Sequence, residues 1–335
     1  MIETTALAAL IYYMLRNAAP LMLTAVGGTF TERTGVINIA LEGIMTVGAF
    51  FAAAVTMLTN NAWLGVLASV VTGLIISYLH GLVCIRFKAN QVVSGVAINI
   101  LAAGLTSFLM KAIFGSGGQL IMGDAPRLPV WSLTKLILGI PGLGRLIQVA
   151  IPENWIRFFD ESIGSQVPGV YIAFIVVIIA QIILFKTPLG LRIRAVGEHP
   201  RAADTLGVNV PQMRYIGVLC SGLLAGFAGS ILSISPGASG FMVGMVAGRG
   251  FIALAAMIFG KWTPVGAMGA CLLFGLSEAV RVSASVILRD LPWMQVIPSQ
   301  LLALLPYIVT MLALAGFVGR STPPAASGIP YESEQ

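Results

Sequence analysis

Nine long apolar stretches constrain the fold of this chain more than any other feature of its sequence. A helix needs about 20 apolar residues to cross the hydrocarbon core of a membrane. Only 10% of the residues are charged, whereas soluble domains average about 25%. We therefore predict an all-α, polytopic integral membrane protein with about 8–9 transmembrane helices. The stretches lie at approximately residues 6–27, 36–58, 63–85, 91–114, 168–186, 212–234, 241–260, 264–288 and 295–318.

The seventh stretch is the least regular, and we expect a broken or re-entrant helix there. Such a helix is tolerated in a membrane only where it is buried in protein or lines a wet cavity. A faint similarity links this stretch to the second one, because Ile39-Ala-Leu41 and Ile252-Ala-Leu254 are each followed by Val-Gly-Ala. Duplicated halves of this kind are common in transporters. The residues that interrupt the seventh stretch are Gly240, Gly244, Gly248, Arg249 and Gly250.

The distribution of charge predicts the orientation of the chain. Basic connectors usually remain in the cytosol, and this places residues 85–88 and the polar segment 186–214 on the inside. The loop 115–167 balances its charges and is expected outside. Counting spans places the N-terminus outside and the C-terminus inside. We expect residues 1–320 to form the membrane domain, and the Pro-, Ser- and Glu-rich tail 321–335 to be a disordered cytosolic segment.

The cytosolic segment 186–214 contains a predicted short helix at residues 200–206. Pro200 lies in its first turn and Gly207 follows its end, which is the usual asymmetry of helix termini. A rigid helix presented to the cytosol indicates a docking surface.

Polar side chains inside the apolar stretches indicate either a solute path or ties between helices. Ionisable and amide groups are costly in a membrane, so they face a cavity or a partner. Glu42 is open to two interpretations: part of a cytosolic gate, or a structural partner of Arg33 or of a neighbouring helix end. The amides can equally bind an uncharged polar solute or join helices. The candidates for the substrate path are Asn38, Glu42, Gln91, Ser94 and Asn99.

Several kinds of chemistry lack their sequence motifs. The chain has no phosphate-binding loop of the form GxxxxGK[ST], no HExxH, no CxxC and no GxSxG. Cys84, Cys220 and Cys271 share no metal-binding spacing. We expect no catalytic residue, no metal, no cofactor and no binding of nucleic acid. The formal charge of +6 reports orientation in the lipid bilayer instead.

Three motifs resemble those of the permease subunits of bacterial ABC importers, in the group that contains ribose, galactose and branched-chain amino-acid permeases. They are residues 31–43 (TERTGVINIALEG), 197–208 (GEHPRAADTLGV) and 251–267 (FIALAAMIFGKWTPVGA). The first motif is most similar to that of nucleoside permeases that work with basic-membrane-lipoprotein receptors. The resemblance implies a type II ABC importer-like fold with inverted-repeat halves, in a multi-pass protein of the bacterial cytoplasmic membrane.

The resemblance also implies partners and residue roles. ATP would be bound and hydrolysed by a twin-cassette ATPase, a second homologous permease would complete the pore, and a lipid-anchored binding protein would deliver the solute. Nucleosides are the expected solute. A sugar or amino-acid ABC permease, or an ion-coupled secondary transporter, remains an alternative. The residues expected to couple to the ATPase are Glu198, Pro200, Arg201, Ala202, Ala203, Leu206 and Gly207.

Overall fold

A computed structural model describes residues 2–115, 117–140, 151–286, 304, 308 and 321–332. The chain divides into two compact units. The first comprises Met1–Ala19, Pro129–Ile172 and Cys271–Gly319, and the second comprises Pro20–Leu128, Ala173–Ala270 and Arg320–Gln335.

Within the described ranges, seven helices are long and apolar enough to cross a membrane. The predicted all-α membrane fold is therefore confirmed. The ninth predicted stretch, 295–318, lies almost entirely outside the described residues. The long helices are α1 (Ile2–Arg33), α2 (Leu41–Thr59), α3 (Ala62–Gly81, extended by a π turn over Leu82–Arg86), α4 (Gln91–Phe114), α7 (Pro168–Lys186), α10 (Val210–Ile234) and α12 (Pro264–Val286).

Shorter helices and strands lie between the long helices in the described ranges. They are β1 (Gln119–Ile121), β2 (Trp131–Ser132), α5 (Leu133–Leu138), α6 (Glu153–Phe159), β3 (Ser165–Gln166), α8 (Pro188–Glu198), α9 (Pro200–Thr205), β4 (Gly240–Met242) and α11 (Arg249–Phe259). Strand β1 pairs with β4, and β2 pairs with β3, both antiparallel.

The seventh predicted stretch is broken, as expected. It contains strand β4, a turn and the short helix α11 instead of one continuous span. The backbone takes positive φ angles at Gly240, Gly244, Ala247 and Gly248, and a right-handed helix cannot pass through that conformation.

The core of the second unit is a tight packing of α2, α3 and α10 through small residues. A Cβ atom added to Gly48 would lie 2.7 Å from the Gly226 carbonyl oxygen, and one added to Gly73 would lie 2.3 Å from that of Gly222. The Ser69 hydroxyl also donates to the Gly226 carbonyl at 2.6 Å. Helices that approach this closely gain dispersion contacts and interhelical hydrogen bonds, which hold membrane helices together.

The first unit contains most of the loop 115–167, which is expected outside and is here called the outer loop. This loop is organised around β2 and β3. The Tyr171 hydroxyl donates to the Gly164 carbonyl at 2.8 Å. Asp160 accepts hydrogen bonds from Ser165 at 2.8 Å and from Ser132 at 3.2 Å. These polar contacts give the loop a defined shape beside exposed Trp131.

The expectation of a disordered tail is wrong for residues 321–332. They form turns whose backbone is hydrogen-bonded to other segments of the second unit: Ala326 N donates to Gly197 O at 2.9 Å, and Gly328 N to Gly35 O at 3.0 Å. The composition suggested disorder, but backbone hydrogen bonds of this kind require no particular side chain. Residues 333–335 lie outside the described part of the chain.

Candidate functional site

A non-helical segment, Thr34–Ala40, separates α1 from α2 and forms the first half of the candidate site. Gly35 has a φ of +86°, which ends α1 because that angle is incompatible with a right-handed helix. The Val36 amide still bonds back to the Thr31 carbonyl at 3.3 Å. Beyond it the backbone needs other partners, because unpaired peptide groups are costly in a membrane. We call Thr34–Ala40 the first interruption.

Two side chains bind the middle of the first interruption at Ile37. Gln91 Oε1 accepts a hydrogen bond from Ile37 N at 2.6 Å. The buried His80 lies with its Nε2 atom 3.0 Å from Ile37 O and its Nδ1 atom 3.0 Å from Ser94 Oγ. Gln91 and Ser94 therefore belong to one cluster with the segment that the sequence singled out.

Asn99 and Asn38 bind the end of the first interruption. Asn99 donates to Ile39 O at 3.1 Å and accepts from Gly43 N at 2.8 Å. Asn38 donates to the Ser221 hydroxyl at 2.7 Å and accepts from Ala40 N at 3.1 Å. These amides use both their donor and their acceptor groups to replace missing helical hydrogen bonds.

Glu42 joins the first interruption to the broken seventh stretch. Its two carboxylate oxygens accept hydrogen bonds from Gly248 N at 2.8 Å and from Gly250 N at 2.7 Å. These amides stand at the start of α11, where a helix has unpaired N–H groups and the positive end of its dipole. Of the interpretations left open by the sequence, the contacts agree with a cap for a neighbouring helix end.

A second junction fastens the end of α1 to the turn between α11 and α12. The Trp262 indole donates to the buried Glu32 carboxylate at 2.5 Å. Arg33 donates to the carbonyl oxygens of Trp262 at 2.8 Å and Lys261 at 3.2 Å. Lys261 and Trp262 both have positive φ angles, so the turn is held in a conformation that such residues rarely adopt.

The predicted cytosolic helix is present as α9, and Gly207 follows it with a φ of +80°. The Leu206 side chain is 85% exposed, whereas Ala203 is buried. Pro200 begins the helix, and Arg201, Ala202 and Gly207 face solvent. The expected docking residues that are exposed are therefore Arg201, Ala202, Leu206 and Gly207, together with Glu198 at the end of α8.

Helix α8 packs against the end of α1 and the start of the first interruption. A Cβ atom added to Gly197 would lie 2.2 Å from Arg33 O and 3.4 Å from Gly35 N. The Arg33 and Arg194 guanidinium groups both lie over the Phe185 ring, at 5.7 Å and 5.1 Å from its centroid. The segment 186–214 is therefore in direct contact with the turn that opens the first interruption.

The five substrate-path candidates come together, but their polar atoms are largely occupied by the backbone. One exception is Gln91 Nε2, which is buried and has no hydrogen-bond partner among the described residues. The sequence missed His80, Ser221, Glu32 and Trp262. A usable signal existed for Glu32, which lies in the first motif. No group of three metal-ligating side chains occurs within the described ranges.

Comparison with known proteins identifies the family to which this sequence is similar. Residues 10–314 match the model of the family described as branched-chain amino acid transport system / permease component. The guanosine ABC transporter permease NupQ of Bacillus subtilis is 45% identical over 320 residues, covering 94% of this chain and 93% of the relative. The nucleoside ABC transporter permease NupC of Lactococcus lactis is 39% identical over 324 residues, covering 95% of each. A second guanosine permease of B. subtilis, NupP, is 25% identical over 79% of this chain and 73% of its own length.

The long apolar helices, the two helix breaks and these matches together define the class of the protein as a membrane permease. The chain belongs to the family of branched-chain amino acid transport system permease components. It is a multi-pass permease subunit of an ABC transporter in the cytoplasmic membrane.

Proposed function

We propose that this chain moves nucleosides into the cell as the permease subunit of an ABC importer. The observation that carries the proposal is the similarity to NupQ and NupC, which are 45% and 39% identical over nearly the whole chain. Their names specify guanosine and nucleosides. The mechanism is alternating access, in which the membrane helices expose the solute path to one side at a time.

The energy comes from a separate, twin-cassette ATPase. The chain lacks a phosphate-binding loop, and Leu206 offers a large apolar side chain to the cytosol. The ATPase docks on the exposed face formed by Glu198, Pro200, Arg201, Ala202, Leu206 and Gly207, while Ala203 packs inward.

Two further partners complete the importer. A second, homologous permease forms the other half of the pore, and B. subtilis supports this because two different proteins, NupQ and NupP, are both called guanosine permeases. A lipid-anchored binding protein captures the solute outside and delivers it. Tight capture there leaves the permease free to bind loosely, so that release into the cytosol is fast.

The first interruption forms the cytosolic gate of the solute path. Asn38, Asn99 and Ser94 hold the gate in shape through the contacts described above. Gln91 is the residue best suited to contact the solute when the gate opens, because its buried Nε2 donor has no hydrogen-bond partner among the described residues. An amide donor suits the carbonyl and ring-nitrogen acceptors of a nucleoside base.

The proposal is tested by uptake of radiolabelled guanosine into vesicles that contain the complete importer and internal ATP. Excess unlabelled nucleosides should abolish the uptake of label, whereas ribose and leucine at the same concentration should leave it unchanged. Absence of guanosine uptake, together with ATP-dependent uptake of labelled ribose or leucine by the same vesicles, would assign the chain to sugar or amino-acid transport instead.

A further inference from the structure

The C-terminal segment Ser321–Glu332, here called the tail segment, crosses the cytosolic end of the second unit. The Ser321 hydroxyl donates to Ile258 O, near the end of α11, at 3.0 Å. At its other end, Glu332 forms an ion pair of 3.2 Å with Lys88, in the connector between α3 and α4. The segment therefore spans several elements that only come together in the folded protein.

The middle of the tail segment is fitted against the first interruption. Gly328 N donates to Gly35 O at 3.0 Å. A Cβ atom on Gly35 would lie 2.9 Å from Ala326 O, and one on Gly328 would lie 2.9 Å from Ile37 Cδ1. Glycine makes room for the backbone of Ala326 at position 35 and for the side chain of Ile37 at position 328.

The same residues also bind the cytosolic segment that carries α9. Ala326 N donates to Gly197 O at 2.9 Å, and Ala325 N donates to Glu198 Oε2 at 3.2 Å. The Tyr331 hydroxyl donates to Asp204 Oδ2, within α9, at 2.5 Å. The tail segment thus bridges α9 and the first interruption directly.

The tail segment lies beside α9 and leaves its exposed side chains accessible. Leu206 remains 85% exposed, and Arg201 and Ala202 also face solvent. A cleft of about 590 Å³ lies open between residues 198–202 and residues 325–332. A plug that blocked access would bury these side chains, so the geometry is that of a lateral support for the helix.

We propose that the tail segment is a brace that fixes α9 to the first interruption, so that movement imposed on α9 reaches the gate. The inference rests on the proposed docking of the ATPase at α9. The brace is held mainly by the backbone hydrogen bonds and by the Tyr331–Asp204 contact. The Lys88–Glu332 pair is largely exposed, and such pairs contribute little.

The test uses the complete importer in proteoliposomes and measures three quantities: binding of the ATPase, ATP hydrolysis, and solute transported per ATP hydrolysed. A chain that ends at Arg320 should still bind the ATPase, but its transport per ATP should fall by at least about fivefold, the lower end of usual coupling between sites. A synthetic peptide of residues 321–335, added from the cytosolic side, should restore the ratio. An unchanged ratio in the shortened chain would overturn the brace.

Tyr331→Phe provides a second variant that does not depend on the folding of the shortened chain. It removes the hydroxyl that bonds Asp204 and keeps the ring, which lies 6.0 Å from the Arg214 guanidinium. The ratio should fall while ATPase binding stays normal, and Tyr78→Phe on α3 serves as the control. A ratio equal to that of the control would count against the brace.

A third variant separates this inference from the function on which it rests. Leu206→Asp places a charge on the exposed docking face and should prevent ATPase binding. If it does so while both tail variants transport normally, the brace is wrong and the docking proposal stands. If Leu206→Asp binds ATPase and transports normally, the docking proposal fails and the brace fails with it.

Discussion

Glu42 illustrates, at the scale of single residues, how an ionisable group is used inside this membrane protein. Its carboxylate accepts hydrogen bonds from two peptide N–H groups, those of Gly248 and Gly250. Both carboxylate oxygens are needed because the unpaired N–H groups at the start of a helix within a membrane have no water to bind. The carboxylate therefore stabilises a helix break.

Glu42→Gln should lower the thermal stability of the chain. Glutamine has one carbonyl oxygen, so one of the two N–H groups loses its acceptor, at a cost of about 1–3 kcal/mol. The midpoint of thermal unfolding, measured on protein purified in detergent, should fall by several degrees. Glu161→Gln, at an exposed position of the outer loop, should leave it unchanged. Equal midpoints for the two variants would show that Glu42 is not a cap.

The sequence predicted these residues better than it predicted their partners. Asn38, Gln91 and Asn99 stand out because amides are rare within apolar stretches. Their partners are mostly backbone groups of the first interruption, such as Ile37 N and Ile39 O. A backbone partner leaves no mark in the sequence, because every residue type carries the same peptide group.

At the scale of elements, the contact between α8 and the end of α1 links the cytosolic segment to the membrane helices. Gly197 allows this contact because it has no side chain, and its backbone packs on Arg33 O. Helix α9 begins at Pro200, shortly after Gly197, so the contact also fixes where α9 starts. On the proposed docking of the ATPase at α9, this contact links that helix to the first interruption.

Gly197→Ala should weaken that link. The added methyl group would lie 2.2 Å from Arg33 O, so α8 has to shift away from the first interruption. ATP-driven uptake should fall severalfold, while binding of the ATPase, which uses the exposed face of α9, is retained. Gly104→Ala is the matched control, since a Cβ atom at Gly104 on α4 meets no atom within 4 Å. Normal uptake by Gly197→Ala would contradict the proposed link.

The outer loop should loosen at acidic pH through Asp160. Partial burial alone would raise the pKa of this carboxyl, but the nearby hydroxyl groups of Thr134, Ser165 and Ser132 outweigh it and hold the pKa below its ordinary value of 3.8. Because the folded pKa is the lower one, the stabilisation is present above the ordinary value and is lost as pH falls through the depressed one. Limited proteolysis of the loop should accelerate below about pH 4.

Asp160→Asn provides the control for this pH dependence. Asparagine does not titrate, so cleavage of its loop should not show the same acidic increase. If the wild-type and variant loops respond identically to pH, another group controls the transition.

The elements themselves were largely predictable where long apolar runs set them. The stretches 91–114 and 168–186 coincide with α4 and α7, because apolar residues in a membrane have few alternatives to a helix. The tail segment was not predictable. Its composition is polar and rich in proline, and its order comes from backbone contacts to Gly35 and Gly197, which are distant in sequence.

At the scale of the whole molecule, contacts in the second unit bring three polar segments to one common end. The connector at Lys88, the segment 186–214 and the tail segment all meet there. These are the segments that the charge distribution predicts to lie in the cytosol. The contacts agree with a single side for all three, and which side of the membrane they face stays a prediction.

A cysteine at residue 205 should react with a membrane-impermeant thiol reagent only from the cytosolic side. Thr205 is exposed on α9, whereas two of the native cysteines, Cys84 and Cys271, are buried. Lys135→Cys, exposed in the outer loop, should react only from outside. The labelling is compared in intact cells and in inverted vesicles, with the unmodified chain as background. The opposite pattern would invert the orientation.

We propose that this permease depends on an ATPase partner for energy. This dependence is tested by measuring the accumulation of labelled guanosine in proteoliposomes that contain either the complete importer or this chain alone. We predict accumulation only with the complete importer and ATP, and none with the chain alone under an imposed proton or sodium gradient. Concentration of guanosine by the chain alone under such a gradient would contradict the account.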